Sequence, residues 1–341
     1  MNKNISILTG LRGLAALIVF VSHMANQGML PAFLGNGFGQ LGVMIFFVLS
    51  GFLMGYLYLF KEFSSQGVAA FAFSRIGRVF PLYIAIVILS FLISTYIDPN
   101  FHYEINDGYS FALATLFLMA PQELWTIPVE VQFYTYFCFV WLFFWVFKSR
   151  NILLIMAVLS IVPSLVTYIL LQKLYPVFST YSLMFFIGIG FSFFYKNRIG
   201  FRDLSDTSKF VLGMLSVCLL VFSLPCLRLR FGLVFSDDFY LRTWGDPVNW
   251  MIVSLLFYSS LIDSPSLKFL NGRFFEYLGR ISYGFYLLHY PIITFVGGLE
   301  IYQILKLPIA FFAVMVIASL SYRFFELPAS NYVKSLSSSG Q

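Results

Sequence analysis

Apolar residues run along this chain in stretches of roughly twenty, the length that crosses a bilayer, broken by short polar or basic segments. The first stretch, ILTGLRGLAALIVFVSHMA at 7–25, is long enough to cross as a helix. Nine more follow. The expected spans are about 6–25, 41–60, 79–97, 125–147, 151–172, 181–196, 209–225, 248–263, 274–297 and 307–325. Segment 109–121 (YSFALATLFLMAP) is short for a span and reads as an interfacial or re-entrant helix. The pattern predicts an all-α polytopic membrane helix bundle of about ten transmembrane helices. Residues 1–326 form the membrane domain. Residues 327–341 form a short cytoplasmic tail whose Ser-rich stretch at 335–339 is expected to be disordered.

Composition agrees with that pattern. The chain has 341 residues, 60% hydrophobic and 11% charged, with a mean hydropathy of +0.85. A soluble domain carries about 25% charged residues, so nearly all of this chain belongs in the membrane. The first run holds Arg12, is too long for a signal core and lacks a small-x-small cleavage site, so it reads as a retained span. The three cysteines are an odd set, two of them in apolar runs, and imply no disulfide framework.

The net charge of +6 does not indicate a nucleic-acid partner, because the basic residues lie in short loops where they set topology. With ten spans and both termini inside, 15 of the 21 Lys and Arg fall on the cytoplasmic side and 5 outside, Arg12 lying within a span. If 109–121 also crossed, the tally would become 9 inside against 11 outside. The positive-inside rule therefore favours N-in/C-in.

Candidate chemistry lies where charge interrupts the apolar runs. Arg12 and His23 are eleven residues apart, three helical turns plus roughly 20°, so they share one face about 16 Å apart along the axis. An intramembrane Arg is expensive and normally faces protein or a polar cavity. The simpler alternative is that Arg12 snorkels to the interface while His23 bonds a neighbouring helix. Arg75 and Arg78, in SRIGRVFP, stack on one face at the cytoplasmic end of the third span. Two forked guanidinium groups at that spacing suit a phosphate or diphosphate, and they also suit an ordinary topology anchor. Glu130 is an acidic residue well inside a span, with Trp125 before it and Tyr134 one turn on. Pro128 is expected to interrupt the helix there and open the backbone to a cavity. His289 precedes Pro291 in the ninth span, where a packed, hydrogen-bonded imidazole is as good a reading as a functional one. Arg323 and Glu326 read as a structural pair, and His102 carries no clear signal. There is no metal-ligand spacing and no nucleotide-binding Gly loop.

Together these residues suggest a path with phosphate-binding Arg residues at the inner mouth, a cation partway in and an imidazole further out. Acyl-coenzyme A has the matching shape, a charged nucleotide followed by a slender arm that ends in a thioester. At these positions the sequence resembles the integral-membrane acyltransferase family 3, the bacterial O-acyltransferases of surface glycans. The resemblance runs from about residue 5 to 326. It rests on LRGLAALIVFVSH (11–23), LGVMIFFVLSGFLMG (41–55, with Ser50), SRIGRVFP (74–81), LWTIPVEVQFY (124–134), LGRISYGFYLLHYP (278–291) and YRFFELP (322–328).

The resemblance implies a bacterial inner-membrane enzyme with acyl-CoA as donor, most often acetyl-CoA, and no metal. The acceptor would be a hydroxyl of a surface glycan such as a lipid-linked lipopolysaccharide O-antigen, on the periplasmic side. With no appended esterase-like domain after the membrane part, transfer would finish within the membrane domain. In that reading His23 and Glu130 are catalytic, the imidazole as general base or as acyl carrier and the carboxylate orienting it. Arg12, Arg75 and Arg78 bind the donor. Trp125, Tyr134, Ser50 and His289 contact substrate. The rival reading is a glycan or lipid-linked sugar transporter or flippase, which intramembrane charge and Pro-interrupted helices also fit. A non-catalytic scaffold would leave the Arg12/His23 face without a purpose.

Overall fold

A computed structural model describes residues 3–171, 176–200, 204–232 and 239–338. Lys173, Arg202, Asp237, Asp238, Ser339 and the last residue of the span expected at 151–172 lie outside the described residues. Among the described residues, regular structure is helical throughout. Three long helices, α1 (Lys3–Asn26), α2 (Gly39–Met54) and α3 (Ser65–Tyr96), precede the short α4 (Gly108–Thr115). Then come α5 (Thr126–Phe147), α6 (Asn151–Leu171), α7 (Phe178–Lys196) and α8 (Asp206–Phe222). Two short helices, α9 (Pro225–Arg230) and α10 (Phe239–Thr243), lead into α11 (Pro247–Leu261), α12 (Arg273–Arg280) and α13 (Ser282–Gly297). The chain closes with α14 (Gln303–Ser321) and α15 (Leu327–Ser338).

All ten expected spans fall on helices. Seven of the described helices are long and apolar enough to cross a membrane, and eight if the bent pair Pro247–Leu261 and Pro265–Asn271 is one span. Three expected spans depart from a simple rod. The span at 209–225 is α8, whose 17 residues give about 26 Å at 1.5 Å per residue, a little under the hydrocarbon thickness. The span at 248–263 ends in an 81° bend. The span at 274–297 is broken at Ile281 into α12 and α13. These breaks cost little where neighbouring protein, rather than lipid, surrounds the backbone.

The chain divides into two compact units, Met1–Leu53 with Ile187–Met315, and Met54–Phe186 with Val316–Gln341. In the first, α1 buries Ile7, Leu11, Ala15, Phe20 and Met24 and packs against α11, α12 and α13. Two glycines permit the closest approach. A Cβ on Gly10 would lie 1.9 Å from the Leu270 carbonyl oxygen, and one on Gly279 would lie 1.8 Å from that of Thr9. Lipid gives packed helices no hydrophobic drive, so close backbone contact supplies the van der Waals attraction instead.

In the second unit α3 starts at Ser64, whose hydroxyl caps the helix by accepting the Gly67 N–H at 3.1 Å. Segment 109–121 is α4 followed by a reversal at Phe117, whose φ is +56°. Asp107 caps α4, accepting from the N–H groups of Tyr109 and Ser110 at 2.8 and 2.9 Å. The Phe117 ring sits 4.3 Å from that of Phe80 and 4.9 Å from that of Tyr83. Gln132 donates to the carbonyls of Phe117 and Leu118, each at 3.0 Å. These two carbonyls of the turn are thus satisfied by protein, as a re-entrant segment would require.

The C-terminal stretch differs from expectation. Residues 335–338 continue α15 rather than forming a disordered end, because α15 lies along α3, with Val333 and Ser330 against Gly77.

Candidate active site

The residues picked from the sequence divide between the two units. In the first, Arg12 and His23 sit on α1 and both are half-buried. The His23 ring lies 5.1 Å from the buried His289 ring of α13 and 4.6 Å from that of Tyr290. His289 donates from Nδ1 to the Tyr286 carbonyl. A carbonyl can only accept, so Nδ1 carries the proton and a neutral His289 has its lone pair on Nε2. Ser50 is buried on α2. His289 therefore belongs to the His23 neighbourhood, and Pro291 falls inside α13 without ending it.

In the second unit α3 and α5 bring together every charged candidate assigned there. Tyr134 is buried and donates its phenol proton to Glu130 Oε1 at 2.6 Å, across one turn of α5. The Arg75 guanidinium lies 5.9 Å from the centre of the Tyr134 ring, a cation–π distance. Arg75 donates from one terminal nitrogen to Ser74 Oγ at 3.0 Å, while its buried Nε has no hydrogen-bond partner among the described residues. Arg75 and Arg78 both act electrostatically on Tyr134. Trp125, half-buried, packs one face against Tyr181 at 4.5 Å between ring centres.

Pro128 does not interrupt the helix. It occupies the first turn of α5, which begins at Thr126, where its missing N–H would have had no intrahelical partner. Glu130 is therefore held on a regular helix.

Two acidic groups gain partners that the sequence reading did not assign. Glu326 is not paired with Arg323. It lies in a widened π-helical turn, Tyr322–Glu326, accepts a hydrogen bond from Ser321 Oγ at 3.0 Å, and feels the Arg78 charge. Arg323 is exposed, with its guanidinium 5.5 Å from the Phe324 ring centre. Inserted π turns often present functional side chains, and the YRFFELP motif was the available signal for this one. His102 contacts Glu123 at 2.6 Å, two residues before Trp125, with both side chains nearly buried. Segment 98–124 holds four acidic residues and no Lys or Arg, which left His102 as their basic partner. Among the described residues, no group of three or more His, Cys, Asp or Glu could hold a metal ion.

The second unit thus combines two guanidinium groups, two carboxyl groups and a phenol. Among the described residues the buried Nε of Arg75 has no hydrogen-bond partner, so it can donate to an added acceptor. The first unit supplies a pair of neighbouring imidazoles, His23 and His289.

A family model described as an acyltransferase domain matches residues 5–323. The O-acetyltransferase OatA of Staphylococcus aureus, in strains NCTC 8325 / PS 47 and MRSA252, is 26% identical over 361 residues, covering 94% of this chain and 56% of the relative. A second Staphylococcus aureus protein, SACOL0978 of strain COL, is 24% identical over 365 residues with the same coverage. The chain spans about half the length of the curated relatives it matches. No solved structure matches it.

Proposed function

The chain belongs to the acyltransferase-domain family, and from that membership we propose that it is a membrane O-acetyltransferase. It takes an acetyl or other short acyl group from cytoplasmic acyl-CoA and delivers it to a hydroxyl of a cell-surface glycan, such as lipopolysaccharide O-antigen, on the periplasmic side. It lies in a bacterial inner membrane with both termini in the cytoplasm, the orientation that the charge distribution supports.

The observation that carries this reading is the buried Nε of Arg75, which has no hydrogen-bond partner among the described residues and lies one helical turn from Arg78. A buried donor without a partner costs about 1–3 kcal/mol, which a phosphate oxygen of the donor would recover. Arg12 serves the donor's pantetheine or phosphate region. His23 and Glu130 are the catalytic pair of side chains. The sugar oxygen bonds to the thioester carbon as its proton passes to the His23 imidazole. The carbon–sulfur bond then breaks, and the thiolate leaves as the free thiol by taking a proton. Glu130, held by Tyr134, supplies the carboxylate of the scheme. Trp125, Ser50 and His289 contact the substrates.

Purified protein assayed with acetyl-CoA and surface glycan tests the scheme. His23→Ala is expected to lower turnover by about 10²–10⁴-fold, the usual worth of a positioned acid–base group. Acetyl-CoA should still raise its unfolding temperature, since ligand binding to the native state stabilises it. Wild-type turnover in that variant would refute the catalytic role. Arg75→Ala is expected to raise the donor KM at least about tenfold, the worth of one charge-assisted hydrogen bond, with kcat little changed. A change confined to the acceptor KM would contradict the donor assignment. A transporter has no reason to be protected by acetyl-CoA, so that measurement also separates the two functional classes.

A further inference from the structure

In the first unit, the connection between α1 and α2 and the segment from α8 to α11 border two hollows outside the residues assigned to transfer. One, of about 250 Å³, is lined by Asn36, Ser223, Arg228, Arg242, Thr243 and Asn249 among others. The other, of about 500 Å³, shares Asn36 and Arg242 and reaches Ala25 and Asn26. That size is within the roughly 300–1,000 Å³ of ligand pockets. Among the described residues, no carboxylate lines either hollow.

The walls are built by a buried polar network. Arg228 pairs with Asp246 and donates to Asn249 Oδ1 at 2.9 Å. Asn249 Nδ2 donates to the Thr243 carbonyl at 2.9 Å, and Asp246 caps α11 through the Val248 N–H at 2.8 Å. On the opposite wall Asn26 Oδ1 accepts the Asn36 N–H at 2.9 Å. The charge of Arg228 is thus spent inside the wall. The charge of Arg242 is not. It is half-buried, lines both hollows, and has neither an ion pair nor a hydrogen bond among the described residues. A partly desolvated guanidinium that faces a polar hollow, with no carboxylate beside it among the described residues, lowers its energy most by taking a bidentate anion.

We infer that the two hollows form an acceptor subsite for an acidic saccharide, with Arg242 holding the sugar's negative group. This rests on the acetyl-transfer reading for its link to chemistry, though not for the anion site itself. The link is positional. Asn26, in the wall, lies three residues past His23 on α1, on the same face and about 4.5 Å along the axis. The negative group is a carboxylate, as in a uronic acid, or a phosphate ester. Neutral sugars lack the partner that Arg242 needs.

The test is thermal unfolding of the full-length protein with glucuronate, glucose 1-phosphate, glucose or acetyl-CoA. Glucuronate, glucose 1-phosphate or both should raise the unfolding temperature, and glucose should not. Protection by one acid alone names the anionic group. Arg242→Gln should weaken that protection at least tenfold, and Arg242→Lys should keep part of it, while both keep protection by acetyl-CoA. Equal protection by glucose overturns the inference. So does undiminished protection by the acids in Arg242→Gln, or no protection by either acid in the wild type. If Arg242→Gln does not fold, the wild-type comparison with glucose and the Lys variant decide the matter. Acid-sugar protection without acetyl-CoA protection would remove the transferase reading and leave the anion site standing. The converse would remove the anion site alone.

Discussion

Tyr134 is the side chain through which the charges of the second unit meet. It donates to Glu130, stacks under Arg75, and lies in the field of Arg78. Tyr134→Phe keeps the ring, and so the packing and the cation–π contact, but removes the proton given to Glu130. A hydrogen bond to a charged group is worth about 1.5–3 kcal/mol, so acetyl transfer is expected to fall about ten- to a hundredfold, with protection by acetyl-CoA retained. Unchanged kcat/KM would mean that the Glu130 carboxylate does not act in transfer. At this scale the sequence was legible wherever one helix carries the whole signal. Arg12 with His23, Arg75 with Arg78, and Glu130 with Tyr134 are each separated by a helical repeat that puts both on one face. Glu326 was misread because spacing paired it with Arg323, whereas in the π turn it accepts a hydrogen bond from Ser321 Oγ and feels the Arg78 charge.

At the scale of elements, α1 and α12 touch backbone to backbone. Gly279→Ala would force its methyl group to 1.8 Å from the Thr9 carbonyl oxygen, so the helices must separate. Overpacking of this kind costs about 1–3 kcal/mol, seen as a lower unfolding temperature. Gly190→Ala on α7, where a Cβ meets nothing within 4 Å, is the control and should be neutral or slightly stabilising. The α4 cap is sensitive to acid. The Asp107 carboxyl is held below its ordinary value by the Ser110 backbone N–H, then by the Ser110 hydroxyl, with a further bond from the Tyr109 N–H. Its folded value is depressed, so the cap contributes above the unfolded value of 3.8 and is lost as pH falls through the folded one. Amide exchange in α4, corrected for intrinsic rates, should lose protection at acid pH in the wild type, and this pH dependence should vanish in Asp107→Ala.

At the scale of the molecule, the proposed orientation puts Cys226 outside and α15 inside. Cys226 is exposed on α9. In cells carrying a variant whose other cysteines are alanine, a membrane-impermeant maleimide should label Cys226 without lysis. A cysteine introduced as Ser335→Cys should react only after lysis. The opposite pattern would invert every assignment of donor and acceptor sides.

The existence, order and helical nature of the ten apolar elements were legible in the sequence. In lipid each segment must satisfy its own backbone hydrogen bonds, so length and hydropathy suffice to mark it. The breaks at Ile281 and after Leu261, the pairing of α15 with α3, and the meeting of His23 with His289 came only from tertiary structure. So did the Ser321 hydrogen bond to Glu326 and the hollow beside Arg242. The helix and imidazole pairings among these join residues far apart in the chain, and the breaks are tolerated where neighbouring helices surround them; packing between helices decides both and leaves no local periodicity to read.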